Sequence, residues 1–520
     1  MDLLQQKQAK IEALESQLKE KEEKIVALEK LTNWYIEQLK LRQREKFGSS
    51  SEKADDDQIS LFDLFNEAET LREPITTEPT EETIIPAHKR KKSKRGSSFS
   101  HLPVETIEYT LDEADKVCEK CGTSLTDMKI EIRKELKIIP AKISIVEHVT
   151  HVYSCRNCDK NGESGYIKQA NSPKALIPKS LVSPSVLAYI LNQKYTNAMP
   201  LHRQEQEWKR LGVNITRQNL SNWTIKAATL LKPLENEMKT ALLSNELLHA
   251  DETTLEVLNE PGRETTAKSY MWVYRTSHDA INPVVIYDYQ VGRSGDFAIK
   301  FLKNWKGKYL HCDGFSGYKK LTDITLCGCL VHAKRKFHEA AKINPDNEDA
   351  KVGEAYFQKL FAIESKADEL NLSHEERKNL RLKESRKVID EFYSWIASIS
   401  MKILPQSLLG KAITYAINQK EYLTNFLLDG RIQLSNNLAE QAIKMFVIGR
   451  KNWLFSNTPN GAASSAIIYS IIQTAIANNL KPLYYIEHIF EQLQLNKNIE
   501  MKDLLPWSEK IPSKCINTAT

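Results

Sequence analysis

The stretch Leu247-Leu-His-Ala-Asp-Glu-Thr-Thr-Leu-Glu-Val-Leu258 restricts the fold more than any other part of this 520-residue chain. Apolar residues open and close it, Thr253, Thr254 and Val257 are β-branched, and an acidic pair, Asp251 and Glu252, sits in its middle. Such side chains suit a pleated, half-buried surface, so the stretch reads as a strand entering an interior. A carboxylate there is costly to bury unless a cation meets it, and a hard divalent metal is the natural partner. Two further acids stand at element boundaries downstream. Asp313 lies where the β run Tyr309-Leu-His-Cys312 meets a Gly-containing turn. Glu440 lies in Leu434-Ser-Asn-Asn-Leu-Ala-Glu440, which reads as a helix capped by Ser435. Two acids on strands and one on a helix make a candidate two-metal phosphoryl-transfer site. Taken singly, each such acid is more often structural or merely solvated than catalytic; the three at element boundaries count together.

The length calls for three or more units. An apolar share of 41% supports sizeable cores, a 27% charged share argues against a membrane protein, and no run nears the roughly 20 apolar residues of a spanning helix. The start, Met1-Asp-Leu-Leu-Gln-Gln-Lys7, lacks the pattern of a signal peptide, so the chain reads as intracellular. Its net charge is only +5, so a nucleic-acid partner requires local basicity.

Residues 1–45 carry heptads. Leu4, Ile11, Leu18, Ile25 and Leu39 follow at seven-residue steps broken by Thr32, and a poorer seam alternates Leu14, Leu28 and Tyr35 with Lys7 and Lys21. This predicts a coiled coil and self-association, against a lone helix packed on its own protein. Residues 46–100 form an acidic then basic linker ending in His88-Lys-Arg-Lys-Lys-Ser-Lys-Arg95, a tether that also suits non-specific phosphate contact. In 101–170, Cys118-Glu-Lys-Cys121 and Cys155-Arg-Asn-Cys158 have knuckle spacing for one structural tetrahedral zinc. The stretches 130–139 and 143–153 between them alternate as strands, so the unit reads as a zinc ribbon bridged by a hairpin.

In 171–240, helix Pro200–Leu211, a turn at Gly212 and a second helix capped by Thr216 give a helix-turn-helix-like pattern. It places Arg217, Gln218, Asn219 and Asn222 on an exposed helix start, where such side chains can bond purine edges. An ordinary helical hairpin is the plain alternative. Residues 241–345 read as a mixed sheet with helices, 346–430 as a charged helical insertion, 431–490 as the returning core with the last acid, and 491–520 as a tail. Lys444, one turn after Glu440, and Arg450 and Lys451, after a helix terminator at Gly449, are candidate contacts to backbone phosphate. His332 and Arg335 share one side of a basic helix and are candidate flanks of the acidic site. Cys327, Cys329 and His332 hint at a further metal, although buried strand thiols explain the cysteines more simply.

Several segments together resemble transposases of the insertion sequence 66 family. They are the heptad start, the knuckles, His249-Ala-Asp-Glu-Thr253, Cys312-Asp-Gly-Phe-Ser-Gly-Tyr318, His332-Ala-Lys-Arg-Lys-Phe337, Asn437-Leu-Ala-Glu440 and Gly449-Arg-Lys-Asn-Trp453. Their order matches over roughly residues 1–490; the basic tether and the end of the tail match no pattern. The resemblance implies a multidomain α+β protein with a ribonuclease H-like core and a DDE triad that falls on Asp251, Asp313 and Glu440. It further implies Mg²⁺ or Mn²⁺ at the triad and double-stranded DNA as partner, both terminal inverted repeats and target. Small accessory proteins and a cytoplasmic, nucleoid-associated location also follow. An inactive zinc-ribbon DNA-binding protein and another nuclease on the same fold are the competing readings.

Overall fold

The computed structural model describes residues 2–47, 142–154, 167–496 and 498–518. The chain divides into two units, one formed by 1–79 and 175–516 and a smaller one formed mainly by 80–174.

In the smaller unit, β1 (Val152–Ser154) pairs antiparallel with β2 (Ile167–Gln169), Tyr153 opposite Lys168. The strand expected over 143–153 is regular only at its end. Cys118, Cys121, Cys155 and Cys158, the linker and the 130–139 segment lie outside the described residues.

The larger unit opens with α1 (Asp2–Phe47). Three helices follow: α2 (Pro184–Tyr195), α3 (Leu201–Arg210) and α4 (Arg217–Leu242). The expected turn is present, with Gly212 at φ +79° and the Thr216 hydroxyl accepting the Asn219 amide. A small core of Ile190, Trp208 and Leu220 closes this pair, with Trp223 packed half-buried against it. The second helix is longer than its sequence pattern, continuing through Pro233 to Leu242. Its inner face (Ala227, Leu231, Leu234, Met238) joins the core of the sheet, which overrides the local signal to stop.

The sheet has the order β5-β4-β3-β6-β7. β3 (Leu247–Glu256), β4 (Lys268–Thr276) and β5 (Val285–Gln290) form an antiparallel meander. After α5 (Gly295–Leu302) come β6 (Tyr309–Cys312) and β7 (Thr325–Gly328), both running parallel to β3. Met271, Trp272, Val273 and Tyr274 of β4 are all fully buried, as expected where both faces of a strand are covered. The next elements are α6 (Leu330–Ile343) and the helices of the 346–430 stretch: α7 (Glu348–Glu369), α8 (His374–Leu380), α9 (Arg386–Ile399), α10 (Leu408–Asn418) and α11 (Lys420–Thr424). They share a core with α6 that touches the sheet at Leu247, Tyr309 and Cys327. Buried Arg381 locks this bundle. It pairs with Glu364 at 2.7 Å and donates to the carbonyls of Phe426 and Asp429.

The chain then returns as α12 (Asn437–Trp453), α13 (Pro459–Ala477) and α14 (Pro482–Leu495). α13 covers the exposed edge of the sheet. Ser470 accepts the Tyr287 amide at 2.8 Å, and Thr474 both accepts from and donates to Val285, which explains buried hydroxyls in an otherwise apolar helix.

Three expectations need correction. Gly449 does not end a helix; α12 runs past it to Trp453, and a side chain there would collide with Tyr469, so the glycine serves close helix packing. Ser435 is not the cap of that helix; Asn436 precedes its first turn, and its side chain is engaged elsewhere, as described below. Nor is the end of the chain a loose tail, because Leu504, Leu505 and Cys515 are buried in the sheet core and the Tyr485 hydroxyl bonds the Leu504 carbonyl at 2.6 Å.

Candidate active site

Parallel pairing of β3 with β6 sets His249 beside His311. Two residues further along each strand come Asp251 and Asp313, so the register places both acids at one level on strands about 4.8 Å apart. Asp313 lies just beyond the end of β6 and holds its turn, its carboxylate accepting the Phe315 amide at 3.0 Å. Glu440 sits in the first turn of α12. That turn is pinned to the sheet by three bonds. Asn436 donates to the Ala250 carbonyl at 2.9 Å, Arg275 donates to the Leu438 carbonyl at 3.0 Å, and the Tyr287 hydroxyl donates to the Ala442 carbonyl at 2.6 Å.

The three acids meet electrostatically. Burial pushes the Asp251 carboxyl well above its ordinary range, and the charges of Glu252, Asp313 and Glu440 add to that, against one bond from the Glu252 amide. A group raised in the folded state is at ease below about pH 4, where it is protonated folded or unfolded, and destabilises the metal-free protein as pH rises through the folded value. Asp251→Asn is therefore expected to raise the melting temperature of metal-free protein at pH 7–8. The gain should fade below about pH 4, and thermal melts across pH would show it; an unchanged or lower melting point at neutral pH would refute this.

Glu252, the other half of the acidic pair, has its own partners. The Tyr318 hydroxyl donates to it at 2.6 Å and Arg293 at 2.7 Å. Arg293 also lies 3.7 Å from Asp313, with its guanidinium 4.1 Å over the Phe315 ring. Arg293 thus ties Glu252 to Asp313, whose charge also raises the Glu252 carboxyl, while Asp251 feels both Asp313 and Glu440. Sequence reasoning missed Arg293 entirely, and the only available hint to Tyr318 was its place in the Cys-Asp-Gly-Phe-Ser-Gly-Tyr run. Deeper still, His249 bonds Asn436 at 2.9 Å and stacks on His311 at 5.0 Å, whose other face of the network is the Gln433 carbonyl. Burial keeps both imidazoles neutral, with His311 down to about 4.

The candidate flanking residues both reach Glu440: His332 at 3.9 Å and Arg335 at 4.0 Å. Lys444 lies half-buried on the same helix, and Lys451 is exposed at its far end. Arg450 is engaged with β3, donating to the hydroxyls of Thr253 and Thr254 at 3.1 Å and to the Thr254 carbonyl. Arg217, Gln218, Asn219 and Asn222 are exposed at the start of α4, away from the acids in sequence, with Gln218 bonded to Asn222 at 3.3 Å. Asp251 and Asp313 offer carboxylate oxygens, the donor type that suits Mg²⁺ or Mn²⁺, whereas Glu440 brings its carboxylate within 4.8 Å of Cys329 and His332.

A mixed α+β architecture with a five-stranded mixed sheet and an inserted helical bundle is consistent with the DDE transposase class. Family models carry this further. Residues 179–464 match "Transposase IS66 family", 115–159 match the zinc-finger binding domain of transposase IS66, 34–107 match "Transposase C of IS166 homeodomain", and 470–507 match the IS66 C-terminal element. The chain belongs to the IS66 transposase family. The matches also cover the basic tether and part of the tail, for which the sequence offered no pattern. Among relatives, uncharacterized protein y4qI of Sinorhizobium fredii is 28% identical over 94% of this chain and 92% of its own length. Uncharacterized protein y4hP of the same organism is 28% identical over 78% of this chain and 75% of its own. The zinc-finger match spans all four knuckle cysteines and points to zinc there. Among the described residues, no helix is long and apolar enough to cross a membrane.

Proposed function

We propose that this protein is an active DNA transposase that binds the ends of its insertion sequence and carries out metal-dependent strand cleavage and strand transfer. The observation that carries the reading is that Asp251 and Asp313 stand level on neighbouring strands, with Glu440 on a helix near enough to raise the Asp251 carboxyl. The three antiparallel strands followed by two parallel ones, with acids on the first and at the end of the fourth, support a ribonuclease H-like core. Asp251, Asp313 and Glu440 hold a pair of Mg²⁺ ions, which supply activation of the attacking oxygen and stabilisation of the leaving one. The Glu252–Arg293–Tyr318 network keeps Asp313 in place, and Asn436 keeps Glu440 against the sheet. Cleavage by water frees a 3′-hydroxyl, which then attacks target DNA. Arg217, Gln218, Asn219 and Asn222 read the element's ends, and Lys444 and Lys451 hold backbone phosphate. Cys118, Cys121, Cys155 and Cys158 hold one structural zinc. The test is cleavage and joining of DNA carrying the element's own ends, with Mg²⁺, with Mn²⁺ and with chelator. Metal-dependent joining is expected. End binding without cleavage would favour an inactive copy or dependence on accessory proteins of the same element.

Self-association through α1 belongs to the same reading. Lys30 donates to the Met401 carbonyl at 2.8 Å, Glu37 accepts the Leu408 amide at 2.8 Å, and Lys40 reaches Asn344 at 3.1 Å, so the end of α1 lies on the helical bundle. At 100° per residue Lys30 and Glu37, with half-buried Trp34 and Leu41, lie on a face turned away from most of the apolar seam, and Lys40 lies between the two. Ile11, Leu18, Ile25 and Leu39 of that seam are 49–60% exposed. One face thus docks on the chain itself, and the other is left for a second copy. Leu18→Glu is expected to weaken self-association tenfold or more, since each Leu withdrawn from an apolar contact loses about 1.5–3 kcal/mol. Sedimentation would measure it, and an unchanged oligomer would exclude the seam as the contact.

A further inference from the structure

Cys329, His332 and Glu440 bring one ligand atom each to within 4.8 Å of one another. The cysteine precedes α6, the histidine lies in its first turn, and the glutamate lies in the first turn of α12. The sulfur is fully buried and accepts the Asn436 amide at 3.2 Å; burial outweighs the amides around it and holds it as the thiol, pushed up to about 11, until a metal displaces the proton. The two oxygens of Glu440 are differentiated. Oε2 faces Arg335 at 4.0 Å, whereas Oε1 faces His332 Nε2 at 3.9 Å. Oε1 is buried and has no hydrogen-bond partner, and neither has His332 Nδ1. Unsatisfied buried polar atoms are rare and ask for an explanation. Tetrahedral zinc, with bonds of about 2.0–2.3 Å, spaces its ligands by about 3.3–3.6 Å, so the farthest pair closes by at most about 1.2–1.5 Å, shared between two side chains.

We propose that Cys329, His332 and Glu440 form a binding site for a thiophilic divalent cation, zinc, and that occupancy inhibits the enzyme by withdrawing Glu440 from the Mg²⁺ set. The inhibitory half rests on the role of Glu440 proposed above; the binding half does not. Thiolate and imidazole select zinc, whereas Mg²⁺ prefers oxygen throughout, so the two cations divide the site by ligand chemistry. Binding releases the thiol proton to solvent and forms a Cys329 Sγ–zinc bond, with no change of oxidation state. The Asn436 amide remains on the sulfur as a bond to the metal-bound thiolate, and Arg335 holds the second glutamate oxygen in place.

The test uses full-length, zinc-loaded protein titrated with Co²⁺ in the absence of DNA, reading the thiolate-to-cobalt charge-transfer band. Wild type is expected to gain a band that Cys329→Ser lacks and whose cobalt affinity Glu440→Gln lowers by at least the roughly 10–100-fold that loss of a mere supporting partner costs. His332→Gln, at a half-exposed helix position, should weaken it likewise and guards against misfolding of the cysteine variant. In the cleavage assay with Mg²⁺, zinc should inhibit wild type at about 10–100-fold lower concentration than Cys329→Ser, each relative to its own zinc-free rate. Equal cobalt bands in wild type and all three variants would overturn the site, and equal zinc sensitivity of wild type and Cys329→Ser would overturn the inhibition. Cobalt binding as expected in a protein that never cleaves DNA would instead overturn the proposed activity and leave the site standing.

Discussion

Asp313→Asn is expected to abolish metal-dependent cleavage and joining while binding of the element's ends persists. The carboxylate closes the turn after β6, level with Asp251 on the neighbouring strand, and its second oxygen faces Arg293 at 3.7 Å. An amide keeps the bond to the Phe315 amide, so the turn survives. It loses the charge that a divalent cation requires, and metal assistance is worth several kcal/mol of transition-state stabilisation. At about 1.4 kcal/mol per tenfold, a loss of about 10³-fold or more follows. The residues proposed to read DNA, Arg217, Gln218, Asn219 and Asn222, stand at the start of α4, so binding measured by mobility shift should change less than about threefold, close to the ±0.5 kcal/mol of a change remote from the contact. Purified variant and wild type compared with Mg²⁺, Mn²⁺ and chelator decide the matter. Residual joining within tenfold of wild type would remove Asp313 from the site.

Asn436→Ala is expected to cost both stability and activity. The side chain is fully buried, donates to the Ala250 carbonyl and accepts from His249, and the residue's own amide bonds the Cys329 sulfur. Truncation strands a buried carbonyl and a buried imidazole, each at about 1–3 kcal/mol, so a loss of about 2–5 kcal/mol is expected in urea unfolding. The same truncation unties the first turn of α12 from β3. A misplacement of about 1 Å at a reacting group can lower rate about 10²-fold, so cleavage should fall by that order even where the variant remains folded. A loss under about 1 kcal/mol with full activity would show that Arg275 and Tyr287 suffice to seat the helix.

Much of the element order was legible because its signals are local. The heptads, the strand around Asp251, the Thr216 cap and the turn at Gly212 each depend on residues within a few positions of one another. The candidate acids were legible for the same reason, since an acid interrupting an apolar β run stands out by itself. Boundaries failed where packing outweighs propensity. α4 continues through Pro233 because its inner face is buried on the sheet, and α12 continues through Gly449 because a bare α-carbon lets it approach Tyr469.

The partners of the acids were not legible. Asn436 meets His249 across 187 positions, and Arg293 meets Glu252 across 41. No periodicity encodes such pairings; they follow from the register of β3 on β6 and from how α12 seats on the sheet. By itself the sequence determined which residues are chemically able to act: one carboxylate within a strand and two at element ends, two thiol pairs at zinc spacing and an apolar helical seam. Only the tertiary structure decided that Tyr318 and Arg293 hold Glu252, that Arg450 is held by β3, and that Cys329 lies beside Glu440. The reason is geometric. Composition and spacing fix what a side chain can bond, but a bond between distant positions exists only after packing has chosen one register and one helix rotation out of many.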